Sequence, residues 1–210
     1  MVRAPADWRK ILRRAEVLVR RRDLRSLDVL LPALAWRSVA ARNRVVALFS
    51  RMGPIAVPAL LERLEDAHAA TTRAGAAESL GRIGDSRAVS RLIRALEDSA
   101  MTVRRASMVA LLRLEAMNAV PRIARRLEDE SGGVRVMAAV VLGGFEDPRA
   151  VPALVRALDD DDQWYVRQAS ATALGRIGDR RAADALERAT HDPRKSVARA
   201  AAAALRALRA

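Results

Sequence analysis

A twelve-residue segment recurs along this chain about every 31 or 32 residues. Its five copies begin at Ile55, Arg87, Asn118, Arg149 and Arg181. Self-similarity at a fixed period of this length is typical of stacked repeat proteins, in which each repeat contacts mainly its neighbours. A repeat array needs no domain boundary and presents a long surface, so the functional question is what that surface binds.

Each repeat is predicted to form two helices. In the first helix, apolar residues recur at helical spacing, and a proline stands near the start, where the backbone amides lack intrahelical partners. These prolines are Pro58, Pro121 and Pro152. The second helix is predicted to begin at a Val-Arg pair and to end near Gly-Asp. Gly84 and Gly178 are expected to have a positive φ at the ends of their helices.

Two segments, Ser-Leu-Gly-Arg-Ile-Gly-Asp at 79–85 and Ala-Leu-Gly-Arg-Ile-Gly-Asp at 173–179, carry a resemblance to a known family. With the Val-Arg pairs and the alanines that follow them, they resemble the HEAT-like repeats of the phycobilin-lyase type. The resemblance covers residues 55–210 and extends more weakly to 24–54. It implies an all-α, right-handed α-solenoid of about six two-helix repeats and says little about function.

The repeat pattern and an amphipathic segment ahead of it together imply a domain organisation. Residues 1–23 are expected to form a basic amphipathic capping helix, with a membrane-surface helix as the alternative. Residues 24–210 would form the array, with units near 24–54, 55–86, 87–117, 118–148, 149–180 and 181–210. In the family, an arginine ladder links neighbouring units. Here its arginines would be Arg42, Arg73, Arg104, Arg135 and Arg167, and its turn aspartates would be Asp85, Asp147 and Asp179.

The amino-acid composition limits the kinds of catalytic and metal-binding site that the chain can form. The chain has no cysteine, which excludes disulfides and thiol catalysis, and its only histidines are His68 and His191. A zinc site of the usual kind is therefore not expected, and neither a metal nor another cofactor is predicted. No stretch approaches 18 consecutive apolar residues and no secretory signal is visible, so a cytoplasmic protein is expected.

Positive charge is concentrated at the N-terminal end. The chain carries 38 basic and 25 acidic residues, a net charge of +13. Residues 1–54 hold 13 basic and 4 acidic residues, a net charge of +9. Residues 55–210 hold the other 25 basic and 21 acidic residues, a net charge of +4. All basic residues except Lys10 and Lys195 are arginine, which suits contact with carboxylates or phosphates.

Arginines recur at one position of the predicted second helices, two residues before the glycine of Gly-Asp. They are Arg51, Arg82, Arg113 and Arg176, with Arg44 and Arg105 at further exposed positions. In the family this face is concave, so the arginines are expected to line a positive groove. The alternative is that they are only solvated.

The fourth repeat departs from this pattern. It places Val136, Met137 and Val140 where other repeats carry charge, and Trp164 and Tyr165 stand next to the following helix. Aromatic residues and methionine are enriched in interface cores, so these five residues are predicted to contact a partner. The alternative is that Trp164 packs across the turn between repeats. The acidic turn 159–162 is expected to offset neighbouring arginines and to cap the next helix.

The function predicted from these patterns is a non-enzymatic protein-binding scaffold or adaptor that uses the concave face. Its partner would be a protein with an acidic or mixed acidic-apolar surface. The alternative is a nucleic-acid-binding protein that contacts phosphates through the arginine-lined groove. Some DNA glycosylases use HEAT-like repeats with aromatic residues and an aspartate at the concave face, and Trp164, Tyr165 and the nearby aspartates are similar. The remaining chain does not match that family well enough to assign its residues here. Bilin lyase activity is not implied by the shared repeat. The oligomeric state stays open.

Overall fold

The described part of the chain is built from helices. The computed structural model describes residues 3–66 and 69–209, and no β-strand element occurs among them. The predicted all-α fold class is therefore confirmed. The helices cluster into two compact units, Met1–Leu114 and Glu115–Ala210. His68 lies outside the described residues.

The first unit holds seven α-helices among its described residues. They are α1 (Trp8–Arg20), α2 (Ser26–Ala33), α3 (Val39–Met52), α4 (Val57–Leu64), α5 (Ala70–Ile83), α6 (Val89–Arg94) and α7 (Met101–Arg113). Helix α5 packs between α3 and α7, while α4 and α6 pack against α5 and α7 from the other layer. Each repeat thus supplies one helix to each of two layers.

The second unit repeats this arrangement. Its helices are α8 (Val120–Ala124), α9 (Gly132–Phe145), α10 (Val151–Asp160), α11 (Trp164–Ile177), α12 (Ala183–Ala189) and α13 (Lys195–Arg209). Helix α11 packs between α9 and α13, and α8, α10 and α12 form the layer behind them. Small residues allow close approach, since a Cβ added to Gly143 would lie 2.9 Å from the Cα of Ala173.

The second helix of a repeat starts earlier than predicted. Helix α11 begins at Trp164, two residues before the Val-Arg pair, and α9 likewise begins at Gly132. The start is set by Gln163, which is extended (φ −91°, ψ 113°) and whose amide donates to the Asp161 carboxylate at 2.9 Å. The expected start at Val-Arg is therefore wrong, and Trp164 and Tyr165 belong to the first turn of α11.

Helix α1 packs its apolar side onto α2 and α3. Leu12, Ala15 and Val19 are buried there, while the basic residues of α1 stay exposed. A surface helix that binds a membrane needs this apolar side free for the lipid. The packing of α1 leaves it covered by the protein.

By length and composition, one described helical run could cross a membrane, Val39–Leu64, with a mean hydropathy of 1.5. Gly53, with φ of 67°, divides this run into α3 and α4. Phe49 and Leu60 within it are fully buried in the unit. The run therefore contributes to the helical core, and the cytoplasmic location stays a prediction.

Glycine was predicted to have positive φ where a second helix ends, and Gly84 (φ 80°) and Gly178 (φ 71°) confirm it. Two glutamates adopt this conformation at the equivalent positions, Glu115 with φ of 51° and Glu146 with φ of 54°. A side chain at positive φ is strained because its Cβ crowds the backbone.

We therefore expect Glu146→Gly to raise the free energy of unfolding by about 1 kcal/mol, because glycine removes this strain. Chemical denaturation monitored by circular dichroism measures the change. Gly178→Ala is the matched control and should lower stability by a similar amount. Equal stability of Glu146→Gly and the natural chain would show that Glu146 is not strained.

Candidate functional site

An arginine ladder links consecutive repeats within each unit. In the first unit, Nε and Nη2 of Arg73 donate to the Asp98 carboxylate at 2.7 and 2.8 Å, and Nη1 donates to the Asp66 carbonyl at 2.8 Å. In the second unit, Arg135 contacts Asp161 and Arg167 contacts Asp192 in the same bidentate way. Such fork-shaped contacts fix geometry as well as supplying energy.

The ladder does not use the aspartates that the family resemblance implied. Asp85, Asp147 and Asp179 instead cap the short 3-10 turns that follow them, and each pairs with the arginine two residues later. The ladder arginine extends from the start of its helix, whereas the turn aspartates follow the helix end. The arginine side chain therefore does not reach these aspartates. The ladder assignment to these three aspartates is therefore wrong.

The turn aspartates still contribute to a second link between repeats. Asp179 holds the Arg181 guanidinium, whose Nη2 donates to the Pro148 carbonyl of the preceding repeat at 3.1 Å. Arg87 reaches the Pro54 carbonyl in the same way. Ion pairing with Arg181 lowers the pKa of Asp179 below its usual value, because the guanidinium stabilises the charged carboxylate.

The ladder arginines also stabilise the charged carboxylates of Asp98 and Asp192. Burial raises the pKa of Asp98, but the hydrogen bonds from Arg73 and from the Ala100 amide outweigh it, so the pKa lies below its usual value. Arg167 lowers the pKa of Asp192. These arginines and aspartates are thus paired within the protein, which leaves them a structural role.

Two arginines predicted to contact a partner are paired with a carboxylate of α1. Arg44 Nη2 lies 2.6 Å from Glu16 Oε2, and Arg51 Nη1 lies 2.7 Å from Glu16 Oε1. Hydrogen bonds from Arg51 and then Arg44 lower the pKa of Glu16 to about 2. Sequence reasoning missed Glu16, because nothing in the repeat pattern indicates where α1 packs.

The other predicted arginines of the first unit differ in their surroundings. Arg82 pairs with Glu78, one turn earlier on α5, at 3.0 Å. Arg105 is half-buried on α7, and Arg113 is exposed at the end of that helix. Three of the five arginines in this unit therefore already have a carboxylate partner.

Five of the six predicted residues of the second unit line one groove. It lies between α9 and α11, has a volume of about 320 Å³, and its α9 wall includes Val136, Val140 and Gly143. The α11 wall includes Trp164, Tyr165, Gln168, Thr172 and Arg176. Met137 is half-buried and does not line this groove.

Trp164 and Tyr165 form one end of the groove. Their rings meet edge to face, with centroids 5.7 Å apart and an interplanar angle of 76°. Trp164 and Tyr165 are 38% and 39% exposed, so part of each ring faces solvent. Gly132 makes room for Tyr165, since a Cβ there would lie 2.7 Å from the tyrosine hydroxyl.

Apolar and cationic groups share this groove. Val140 is 46% exposed on its α9 wall. Arg176 is exposed at the far end of α11, and within residues 115–209 no carboxylate lies within ion-pair distance of it. Among the described residues, no cluster of three or more histidine, aspartate or glutamate side chains could hold a metal ion. The groove can therefore hold an apolar side chain beside a negative charge.

Comparison with known proteins identifies the repeat. The family model for HEAT repeats matches residues 27–113, 57–132 and 119–206. Among curated proteins, none matches the chain significantly.

Solved structures share the fold. A designed armadillo repeat protein in complex with the peptide (KR)4 is 18% identical with a TM-score of 0.61, over 94% of this chain and 99% of that one. An engineered protein is 17% identical with a TM-score of 0.58, over 93% and 96%. The CpcE–CpcF complex of phycocyanin lyase from Nostoc sp. is 22% identical with a TM-score of 0.48, over 97% and 91%. The chain belongs to the HEAT repeat family.

Proposed function

We propose that this HEAT repeat protein is a non-enzymatic scaffold that binds an acidic, apolar segment of another protein in the groove between α9 and α11. The observation that carries the proposal is the grouping of exposed Val140, Trp164 and Tyr165 with Arg176 in one groove. A few aromatic and arginine residues usually supply most of the energy of a protein interface.

The dimensions of the groove match a peptide anchor. A volume of about 320 Å³ accommodates one or two side chains, and the groove opens along the surfaces of two neighbouring helices. An aliphatic or aromatic residue would pack against Val140 and Trp164. An aspartate or glutamate farther along the segment would reach Arg176, whose planar guanidinium contacts carboxylates with two hydrogen bonds.

The proposed partner differs from the peptide of the designed armadillo protein, which is basic. The groove here carries Arg176, and a positively charged segment would be repelled by it. The nucleic-acid alternative loses support at the arginine-lined surface, because Arg44, Arg51 and Arg82 are paired with carboxylates.

Selection of a displayed random peptide library on the purified chain tests the proposal. We expect enriched peptides to combine an aromatic or aliphatic residue with aspartate or glutamate. Trp164→Ala should weaken the binding of such a peptide at least 30-fold, since truncating a central interface residue costs about 2 kcal/mol or more. Isothermal titration calorimetry measures the affinity.

Two further variants make the test specific. Arg176→Gln should weaken binding and reduce its dependence on salt, whereas Arg113→Gln, the equivalent exposed residue on α7, should leave the affinity within twofold. Circular dichroism checks that each variant keeps its helicity. Peptides without acidic residues, or peptides that bind Trp164→Ala as tightly as the natural chain, would contradict the proposal.

A further inference from the structure

The exposed side of α1 concentrates positive charge that the proposed function does not use. Six basic residues lie on this side, and we call them the α1 strip: Arg9, Lys10, Arg13, Arg14, Arg20 and Arg21. At 100° per residue, Arg9, Arg13 and Arg20 form one row and Lys10, Arg14 and Arg21 form a second row beside it. The rows extend over about 18 Å, given a rise of 1.5 Å per residue.

The fold removes the acid that could offset this charge. Glu16 is the only carboxylate on α1, and its side chain is turned towards α3, where Arg44 and Arg51 hold it at 14% exposure. Arg20 reaches Glu16 only at 3.4 Å. The α1 strip therefore faces solvent as a surface of cations, with Val17 between the two rows.

A cleft borders the α1 strip along its contact with α3. It has a volume of about 320 Å³ and is lined by Trp8, Arg9, Leu12, Arg13, Ala40 and Arg44. The Arg9 guanidinium lies 4.7 Å from the centre of the Trp8 ring. An anion bound in the cleft would contact Arg9 and Arg13 on its α1 side, so the strip offers a concave edge as well as an exposed face.

From this geometry we infer that the α1 strip binds the phosphate backbone of a nucleic acid without sequence preference. Two rows of cations over about 18 Å match an extended line of phosphates, and arginine suits phosphate contact. A membrane is a poorer match, because Leu12, Ala15 and Val19 are buried against the protein and cannot enter a lipid surface. A protein interface is a poorer match too, because Val17 is the only large apolar side chain that α1 (Trp8–Arg20) exposes between the two rows, whereas the centre of a protein interface is more apolar than its rim.

This site is distinct from the groove between α9 and α11 and does not depend on the proposed function. It also differs from the surface that carries Arg44, Arg51 and Arg82, because none of its cations except Arg20 is paired with a carboxylate among the described residues of the first unit. The contacts are with phosphates, so affinity should fall steeply with salt.

Fluorescence anisotropy tests the inference with the full chain and a labelled 20-nucleotide DNA, as a single strand and as a duplex. We expect binding at low salt, with a slope steeper than about −2 in a plot of log affinity against log salt, because each contact with duplex phosphate adds about −0.9. The triple variant Arg9→Glu, Arg13→Glu, Arg14→Glu should bind at least tenfold more weakly.

A control variant separates the α1 strip from net charge. Arg180→Glu, Arg199→Glu, Arg206→Glu makes the same change in charge at exposed positions of the second unit, and should lose less than threefold in affinity. Equal losses in the two triple variants, or no binding by the natural chain to either DNA, would overturn the inference.

Two further probes decide the class of polyanion. Poly-glutamate and vesicles of phosphatidylglycerol present dense negative charge without a nucleic acid backbone. Binding to either one as tight as to DNA would overturn the inference. If the triple change to glutamate lowers helicity, the triple variant Arg9→Gln, Arg13→Gln, Arg14→Gln is measured instead. It should also bind DNA more weakly than the natural chain does, and an unchanged affinity would overturn the inference.

Discussion

Asp161→Ala is expected to lower the free energy of unfolding by about 3 kcal/mol, since it removes the buried carboxylate that a mostly buried guanidinium contacts with two hydrogen bonds. Arg135 and Asp161 have side chains that are 14% and 6% exposed, and Nε of Arg135 lies 2.6 Å from Asp161 Oδ2. The same carboxylate accepts from the Gln163 amide, so the substitution also removes the contact that starts α11. Urea denaturation followed by circular dichroism measures the loss.

Asp162→Ala provides the matched control for this prediction. Asp162 also pairs with Arg135, at 2.9 Å, but its side chain is 74% exposed. Exposed ion pairs contribute about 0 to 1 kcal/mol, so the control should lose less than 1 kcal/mol. Similar losses in the two variants would show that the ladder is not what couples these repeats.

Gly81→Ala is expected to lower stability by about 2 kcal/mol, despite the better helix propensity of alanine. A Cβ at Gly81 would lie 2.6 Å from the Cα of Ala110, so α5 and α7 must move apart to admit it. Backbone atoms cannot turn aside as a flexible side chain can. Thermal and urea denaturation measure the change.

The control for this prediction is Gly133→Ala on α9. The nearest atom to a Cβ there is Ser131 Oγ at 3.7 Å, an ordinary contact. Without a clash, alanine should raise stability by up to about 1 kcal/mol, through helix propensity and a less flexible unfolded chain. A loss at Gly133 equal to the loss at Gly81 would point to a general intolerance of substitution in these helices.

Much of the fold follows from local pattern. The period of 31 or 32 residues predicts paired helices, and Gly84 and Gly178 are predicted at positive φ because helix ends favour glycine there. Val136 and Val140 stand at positions that carry charged residues in other repeats, and they indicate that the fourth repeat differs from the others. These features depend on residues close in sequence or one period apart, which a single sequence displays.

The ladder shows where the pattern was insufficient. Asp98, Asp161 and Asp192 recur with the repeat as regularly as Asp85 and Asp179 do. Periodicity therefore allowed both sets as partners of the ladder arginines. Only the distances distinguish them, because the arginine side chain reaches the turn before the next second helix.

By itself the sequence determined the helical repeat, the concentration of positive charge near the N-terminus and the exceptional fourth repeat, since each is a matter of residue order and spacing. The tertiary structure decided which of these charged side chains are free to contact a ligand and which are paired within the protein. Packing of α1 brings Glu16 to Arg44 and Arg51 and leaves the α1 strip exposed. Packing of α9 against α11 likewise joins Val140, Trp164 and Arg176 into one groove. Such pairings join residues far apart in the chain, and they depend on how closely two helices approach.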